Sequence, residues 1–382
     1  MNLPYLMEAV LLILLLAIAA AVVYYIVSVL KDRRRALNLV FLEVRIPKKD
    51  SKDEKDEGEQ FGSGIDYVKV IGVMSQLFTS INALREKQLF GSEFFSCEYS
   101  VIDGQIFFHL GVPRDAKVLI EKQITSYYSD AVVEETAAPN IFTKGNKVAS
   151  NYFVLGKSYN YPIRTIERIE SDSLNNIANA LSKIKIGEGA AIQFVCRPVL
   201  DTWQSGCQEL AEALYEGKKA KSFFSKLNPI AWVAFIFSVA IEGPTDENMK
   251  GFGGGEDKPT QTTPLKQEKV KAIEEKASKV GFDVIIRLVT SAPTQREASL
   301  QLANLRGAFE QFNTPDLNGF AKSKRHNRRK LVRDYIFRNF SRPFFISLWR
   351  WWKTGEWRQI LNADEMAALY HFPNAHYNKS PA

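Results

Sequence analysis

The period of the apolar positions changes several times along the 382 residues, and each change marks an element. Residues 9 to 30, "AVLLILLLAIAAAVVYYIVSVL", are 22 positions without a charge. As a helix they would reach about 33 Å, against a hydrocarbon core of about 30 Å, so a membrane span is expected. "NLVFLEVRIPK" (38–48) then alternates apolar and polar positions and ends in proline, which predicts a strand. In "DYVKVIGVMSQLFTSINALREKQ" the apolar positions fall at helical spacing through Val70, Val73, Met74, Leu77, Ile81 and Leu84. That stripe predicts a helix lying on a sheet.

A strand, a short polar joint and a helix then follow one another three times, over 105–128, 190–217 and 282–313. A proline falls in or beside each joint (Pro113, Pro198, Pro293). Trp203, Cys207, Leu210 and Leu214 make the helical stripe of the second unit; Leu302, Leu305, Phe309 and Phe312 make that of the third. Asp103-Gly104, between two alternating runs, predicts a tight hairpin ahead of the first unit. "SLNNIANALSKI" (173–184) predicts a further helix with Ser173 as its N-cap. The order implies an α+β fold, a single N-terminal transmembrane helix followed by repeated ferredoxin-like strand–helix modules.

The boundaries expected from these patterns are an anchor with a basic stop-transfer (1–35), a strand and charged linker (36–65), and a first α+β region of two modules (66–220). The third module occupies 269–320, and 321–382 is a basic, aromatic C-terminal region with a terminal helix. Between them, 221–242 contains 15 uncharged residues flanked by lysines. At about 22 Å it is short for a span, and a buried helix or an interfacial element both fit. Residues 243–268 are rich in Gly, Pro and Thr and read as a flexible linker.

Charge adds an orientation. Lys31, Arg33, Arg34 and Arg35 follow the apolar run and Glu8 precedes it, which favours a retained anchor over a cleaved signal. The positive-inside rule places the bulk of the chain in the cytoplasm, single-pass in the inner membrane. Three scattered cysteines suit a reducing compartment. The net charge of +7 is concentrated: Lys322 to Arg358 carries twelve lysines and arginines against Asp334 and Glu356. There Arg328, Arg329, Lys330, Arg333 and Arg350 mix with Trp349, Trp351, Trp352 and Trp357. Such a mixture fits an anionic membrane surface. It also fits single-stranded nucleic acid such as DNA, or a solvated basic linker leading into an ordinary core strand and helix.

Candidate chemistry is sparse. Gly156-Lys157-Ser158 ends like a P-loop, but Asn151 stands where the upstream glycine belongs, and an extended stretch with Pro162 follows in place of a helix. A turn in a strand-rich stretch is expected instead. His371 and His376 are five apart with Pro373 between them, off the spacing of a helical metal pair. No Cys-x-x-Cys or Gly-x-Ser-x-Gly occurs. The expectation is a non-enzymatic protein without metal or cofactor.

Three pieces carry a resemblance: the N-terminal apolar segment with "RRRALNLVFLEVRIP", the middle "SVIDGQIFFHLGVPRDAKVLIEKQI", and the end "QILNADEMAALYHFPNAHYNKSP". Together they resemble the membrane-anchored region ahead of HerA/conjugation-type secretion ATPases, mainly of candidate-phyla bacteria. In that region an Asn-x-x-Glu stretch ending His-Phe-Pro stands just before the ATPase domain. Here the matching positions are Asn362, Glu365, Met366, Leu369, His371, Phe372 and Pro373. The sequence reaches Ala382 without a P-loop domain after them, which fits either a stand-alone partner of a separately encoded motor or the front part of a larger protein. The resemblance implies a membrane-tethered scaffold or adaptor of a type IV secretion-like machine. Its partners would be the bilayer, a P-loop translocation ATPase and further copies of itself. Asn362, Glu365, His371, Phe372 and Pro373 become motor-docking candidates, with a plain C-terminal helix packing Met366 and Leu369 on the last module as the other reading. The alternative function is a membrane-anchored nucleic-acid-binding protein using 322–358.

Overall fold

The computed structural model describes residues 3–47, 67–85, 91–165, 168, 172–216, 263–323, 327–342, 356 and 358–373, with the side chains at some positions of the first two helices left out. The first helix, α1 (Leu3–Leu37), contains the uncharged run and the basic residues in one element. Among the residues described with their side chains, which in α1 form an unbroken run only from residue 22, no helix is long and apolar enough to cross a membrane. After Asn38 the chain enters β1 (Leu39–Arg45). Then come α2 (Tyr67–Ile81), β2 (Phe95–Ile102), β3 (Gln105–Pro113), α3 (Lys117–Tyr127) and β4 (Val132–Thr136).

These strands lie in the order β4-β1-β3-β2, every neighbour antiparallel. A βαββαβ chain in that order is the ferredoxin-like split βαβ unit. The β2–β3 hairpin closes on Asp103 (φ 51) and Gly104 (φ 78), the left-handed pair of a type I′ turn.

A second round follows: β5 (Lys147–Leu155), α4 (Ser173–Leu181), β6 (Gly189–Pro198), β7 (Gly281–Ala292), α7 (Gln295–Ala308) and β8 (Phe320–Lys322). Between β6 and β7 are α5 (Gln204–Tyr215) and α6 (Pro264–Ala277), packed through Trp203, Cys207, Leu210 and Ile273. Read from its outer edge this half runs β8-β5-β7-β6, the same order as the first. The halves join edge to edge, β2 against β6, over Phe95–Ile102 and Gly189–Cys196. Equivalent strands paired antiparallel imply an approximate two-fold axis between β2 and β6. The three strand–helix units of the sequence thus enter one continuous sheet as two ferredoxin-like halves.

Alternation along the strands sorts the faces. Cys97, Tyr99, Ile192, Phe194, Ile286 and Leu288 face the layer formed by α2, α3, α4 and α7. Leu302, Leu305, Phe309 and Phe312 are buried there, as their stripe predicts. The opposite face is covered by α8 (Arg328–Ile336), the end of α1 and Ile141. At Gly189 a Cβ would collide with the backbone carbonyl of Ile141. Gly189→Ala is therefore expected to lower stability by about 1–3 kcal/mol by forcing this cover off the sheet, measured by denaturant unfolding.

The C-terminal segment spans both halves. β9 (Ile360–Asn362) pairs with the start of β7, and α9 (Ala363–Leu369) packs on α2 and α4. Tyr370 and Phe372 then reach the first half, Tyr370 Oη donating to the His109 carbonyl at 3.1 Å and Phe372 lying on Tyr128. Met366 and Leu369 are buried, but between the halves rather than on the last module alone.

Candidate functional site

Three features meet on the sheet face that carries α1. The first is the joint between α1 and the sheet. Asp32, in the penultimate turn, accepts from Arg35 at 3.1 Å and from Arg197 of β6 at 2.5 Å. Arg35 also bonds Glu93 at 2.9 Å and the Gly91 carbonyl at 2.6 Å. One of the four expected stop-transfer cations is thus inside the fold, while Lys31, Arg33 and Arg34 are exposed. Burial pushes the Arg197 guanidinium below its ordinary value against the opposing charges of Asp32 and Asp283.

The second is a row of polar side chains in register across the sheet: Glu134, Glu43, His109, Glu98, Gln193 and Arg287, from β4 to β7. All but Glu134 are buried. Glu98 receives Ser96 Oγ at 2.9 Å, Gln193 Nε2 at 3.1 Å and both sides of the Arg338 guanidinium at 2.9 and 3.0 Å. Gln193 receives Arg287 at 2.7 Å and donates to the Tyr335 carbonyl at 3.1 Å; Arg287 also donates to the Asn339 carbonyl. Burial alone would raise the Glu98 carboxyl, but the charge and hydrogen bonds of Arg338, with Ser96 and His109, hold it below the usual carboxylate range. Burial lowers His109, aided by Arg338 and opposed by Glu98 and Glu43. The Ser100 hydroxyl stands 3.1 Å from its Nδ1. The row fastens the backbone of Tyr335–Asn339, and so α8, to the sheet.

The third feature is α8. Asn327 caps it, accepting from the Lys330 N–H. Leu331 and Tyr335 are buried, while Arg328, Arg329 and Arg333 are exposed and Lys330 is half-buried. The helix ends on Arg338 at φ 51, with Asn339 N–H to the Asp334 carbonyl and Arg338 N–H to the Tyr335 carbonyl. This is a Schellman turn with arginine where glycine is usual. The remaining contact candidates, Trp349, Arg350, Trp351, Trp352 and Trp357, lie outside the described residues.

The motor-docking candidates sit on the other face. Asn362 caps α9 in a reciprocal box with Glu365. Glu365 pairs with Lys276 at 2.9 Å, both fully buried, and accepts from the Ile163 N–H at 2.8 Å. His371 lies between the Ala367 carbonyl (2.8 Å) and Asp172 (2.9 Å). Asp172, not Ser173, is the N-cap of α4; Ser173 instead donates to the Ala368 carbonyl. Asn362, Glu365, His371 and Phe372 are buried, and only Pro373 is half-exposed. The motif therefore fixes where the chain leaves the core and offers little surface of its own.

A cleft of about 260 Å³ opens beside Gly72, Arg168, Lys279 and Asp364, its charges already engaged in Lys279–Asp364 and Arg168–Glu268 pairs. Gly156-Lys157-Ser158 forms the turn after β5; Lys157 Nζ donates to the Pro315 carbonyl and Ser158 bonds Glu356. Among the described residues no group of three or more His, Cys, Asp or Glu is gathered as metal ligands. The chain belongs to the family described as domain of unknown function (DUF8128), whose model matches residues 68–382. No curated protein matches it.

Proposed function

We propose that this member of the DUF8128 family is a membrane-anchored, non-catalytic adaptor that fixes a HerA-type translocation ATPase at the inner membrane, in a type IV secretion-like machine. The observation that carries the reading is the passage from α1 into the sheet. The uncharged run and the residues gripped by Arg197, Glu93 and Gly91 belong to one helix, and a single residue separates it from β1. A helix held in this way would transmit a fixed orientation from the bilayer to the body, which a flexible tether would not. The C-terminal segment supports the adaptor role, because it clamps both halves before the chain emerges at Pro373. The ATPase partner comes from the family resemblance in the sequence.

Alkaline carbonate treatment of native membranes is expected to leave the full chain in the pellet. Affinity isolation from detergent-solubilised membranes is expected to bring down a P-loop ATPase. Release by carbonate would end the anchor reading. Sustained ATP hydrolysis by the purified chain alone would end the non-catalytic one, and repeated isolation without a nucleotide-hydrolysing partner would remove the adaptor role.

A further inference from the structure

We propose that Ile336 and Phe337, flanked by Arg329 and Arg333, form a wedge that seats α8 among the anionic phospholipid headgroups of the leaflet from which α1 enters the body. This rests on the anchor reading above and names a second contact with the same bilayer. Ile336 and Phe337 are 42% and 47% exposed, adjacent, and at the tip of a helix whose opposite side is buried. Arg329 and Arg333 are one turn apart and lead to this pair, so cations and apolar tip share one stripe. Among the described residues no carboxylate pairs with Arg329, Lys330 or Arg333.

The location ties the stripe to the anchor. α8 and the last turn of α1 contribute to the same apolar cluster on one sheet face. One residue past the wedge, Arg338 stacks 4.6 Å from the Phe41 ring centroid, just after α1. Three residues past it, Phe340 lies 4.0 Å beneath Arg197, the residue that grips Asp32 of α1. The Schellman turn at Arg338, locked onto Glu98, keeps the tip at the end of the helix. Guanidinium groups donate in pairs to phosphate oxygens, and an aromatic ring beside them suits the headgroup boundary. Single-stranded nucleic acid would call for successive stacking rings among the cations, whereas the described part of the stripe exposes one ring at its end.

The test uses the full chain in proteoliposomes, with an environment-sensitive fluorophore on Phe337→Cys. Cys97, Cys196 and Cys207 are buried, so labelling selects position 337. In bilayers of equal phosphatidylcholine and phosphatidylglycerol the probe is expected to shift to the blue and to be quenched by brominated lipid. In phosphatidylcholine alone both effects shrink. Removing each charge with Arg329→Gln and Arg333→Gln lowers the seated population about fivefold. Hydrogen exchange of residues 328–342 in the unlabelled chain provides a second reading, with more protection in the anionic bilayer. A chain that floats with vesicles while position 337 stays in water overturns the wedge and leaves the anchor standing. A blue shift indifferent to lipid charge, or produced equally by an oligonucleotide without lipid, also overturns the wedge. A chain that does not float overturns both.

Discussion

Replacing Glu365 by alanine is expected to lower the unfolding free energy by about 3–5 kcal/mol, because it leaves the Lys276 ammonium buried without its counter-charge. Glu365 and Lys276 are both fully enclosed at 2.9 Å. The same carboxylate accepts from the N–H groups of Asn362 and Ile163, each at 2.8 Å, while Lys276 also bonds the Ile360 carbonyl at 3.0 Å. One side chain thus joins α6, β9, α9 and the loop after β5. Denaturant unfolding of the detergent-solubilised full chain measures the loss. Lys276→Met combined with Glu365→Leu removes both charges and should recover part of it, since hydrophobic replacements of buried pairs are often close to neutral. Recovery stays incomplete because two buried N–H groups keep no acceptor, at about 1–3 kcal/mol each. A loss below about 1 kcal/mol for Glu365→Ala would mean that this pair does not hold the C-terminal segment.

Arg338→Ala should be comparably damaging, about 3–5 kcal/mol near neutral pH, and its pH dependence should identify the cause. In the native chain the Glu98 carboxyl is held below its unfolded value, with burial overcome by Arg338. Its contribution is therefore fully present above the unfolded carboxylate range, about pH 4.3, and is lost as pH falls through the lower folded value. Without Arg338, burial dominates and raises the Glu98 carboxyl above its unfolded value. The variant's penalty then shrinks as Glu98 takes up a proton. The difference between native and variant stability should accordingly narrow from neutral pH toward about pH 4. Arg338→Gly should be milder than Arg338→Ala by about 1 kcal/mol, because glycine accepts the positive φ of this turn. A pH-independent difference would show that Arg338 acts through packing on Phe41 and Tyr335 instead.

Legibility followed the range of the interaction. The Asp103-Gly104 turn, the stripe Leu302–Leu305–Phe309–Phe312 and the strand after α1 are set by neighbours in the chain, and periodicity found them. The N-cap of α4 is Asp172, one residue before the Ser173 that the local pattern favours, because both residue types are good caps. His371 and Ala368, nearly 200 residues away, sort them by engaging each in a different bond. Ser96, Glu98 and Ser100 alternate with Phe95, Cys97 and Tyr99, the mark of a strand with one wet face. That face is dry here because α8 and Tyr335–Ser341 cover it, and only the cross-strand register reveals a continuous polar row.

Local chemistry by itself determined helices α2, α3, α4, α5 and α7, strands β1, β2, β3, β6 and β7, the tight turn, the uncharged N-terminal run and the concentration of cations after residue 321, since each depends on side chains a few positions apart. Helices α6 and α8 and the short strands β4, β8 and β9 carry too little local pattern to be read this way. Only the tertiary structure decided that β2 and β6 join two like halves, that the Asn362–Phe372 motif is a buried clasp, and that α8 shares a face with the end of α1. Those outcomes depend on which strand edges and buried charges find partners far away in sequence, and the spacing of residues along a chain carries no record of that choice.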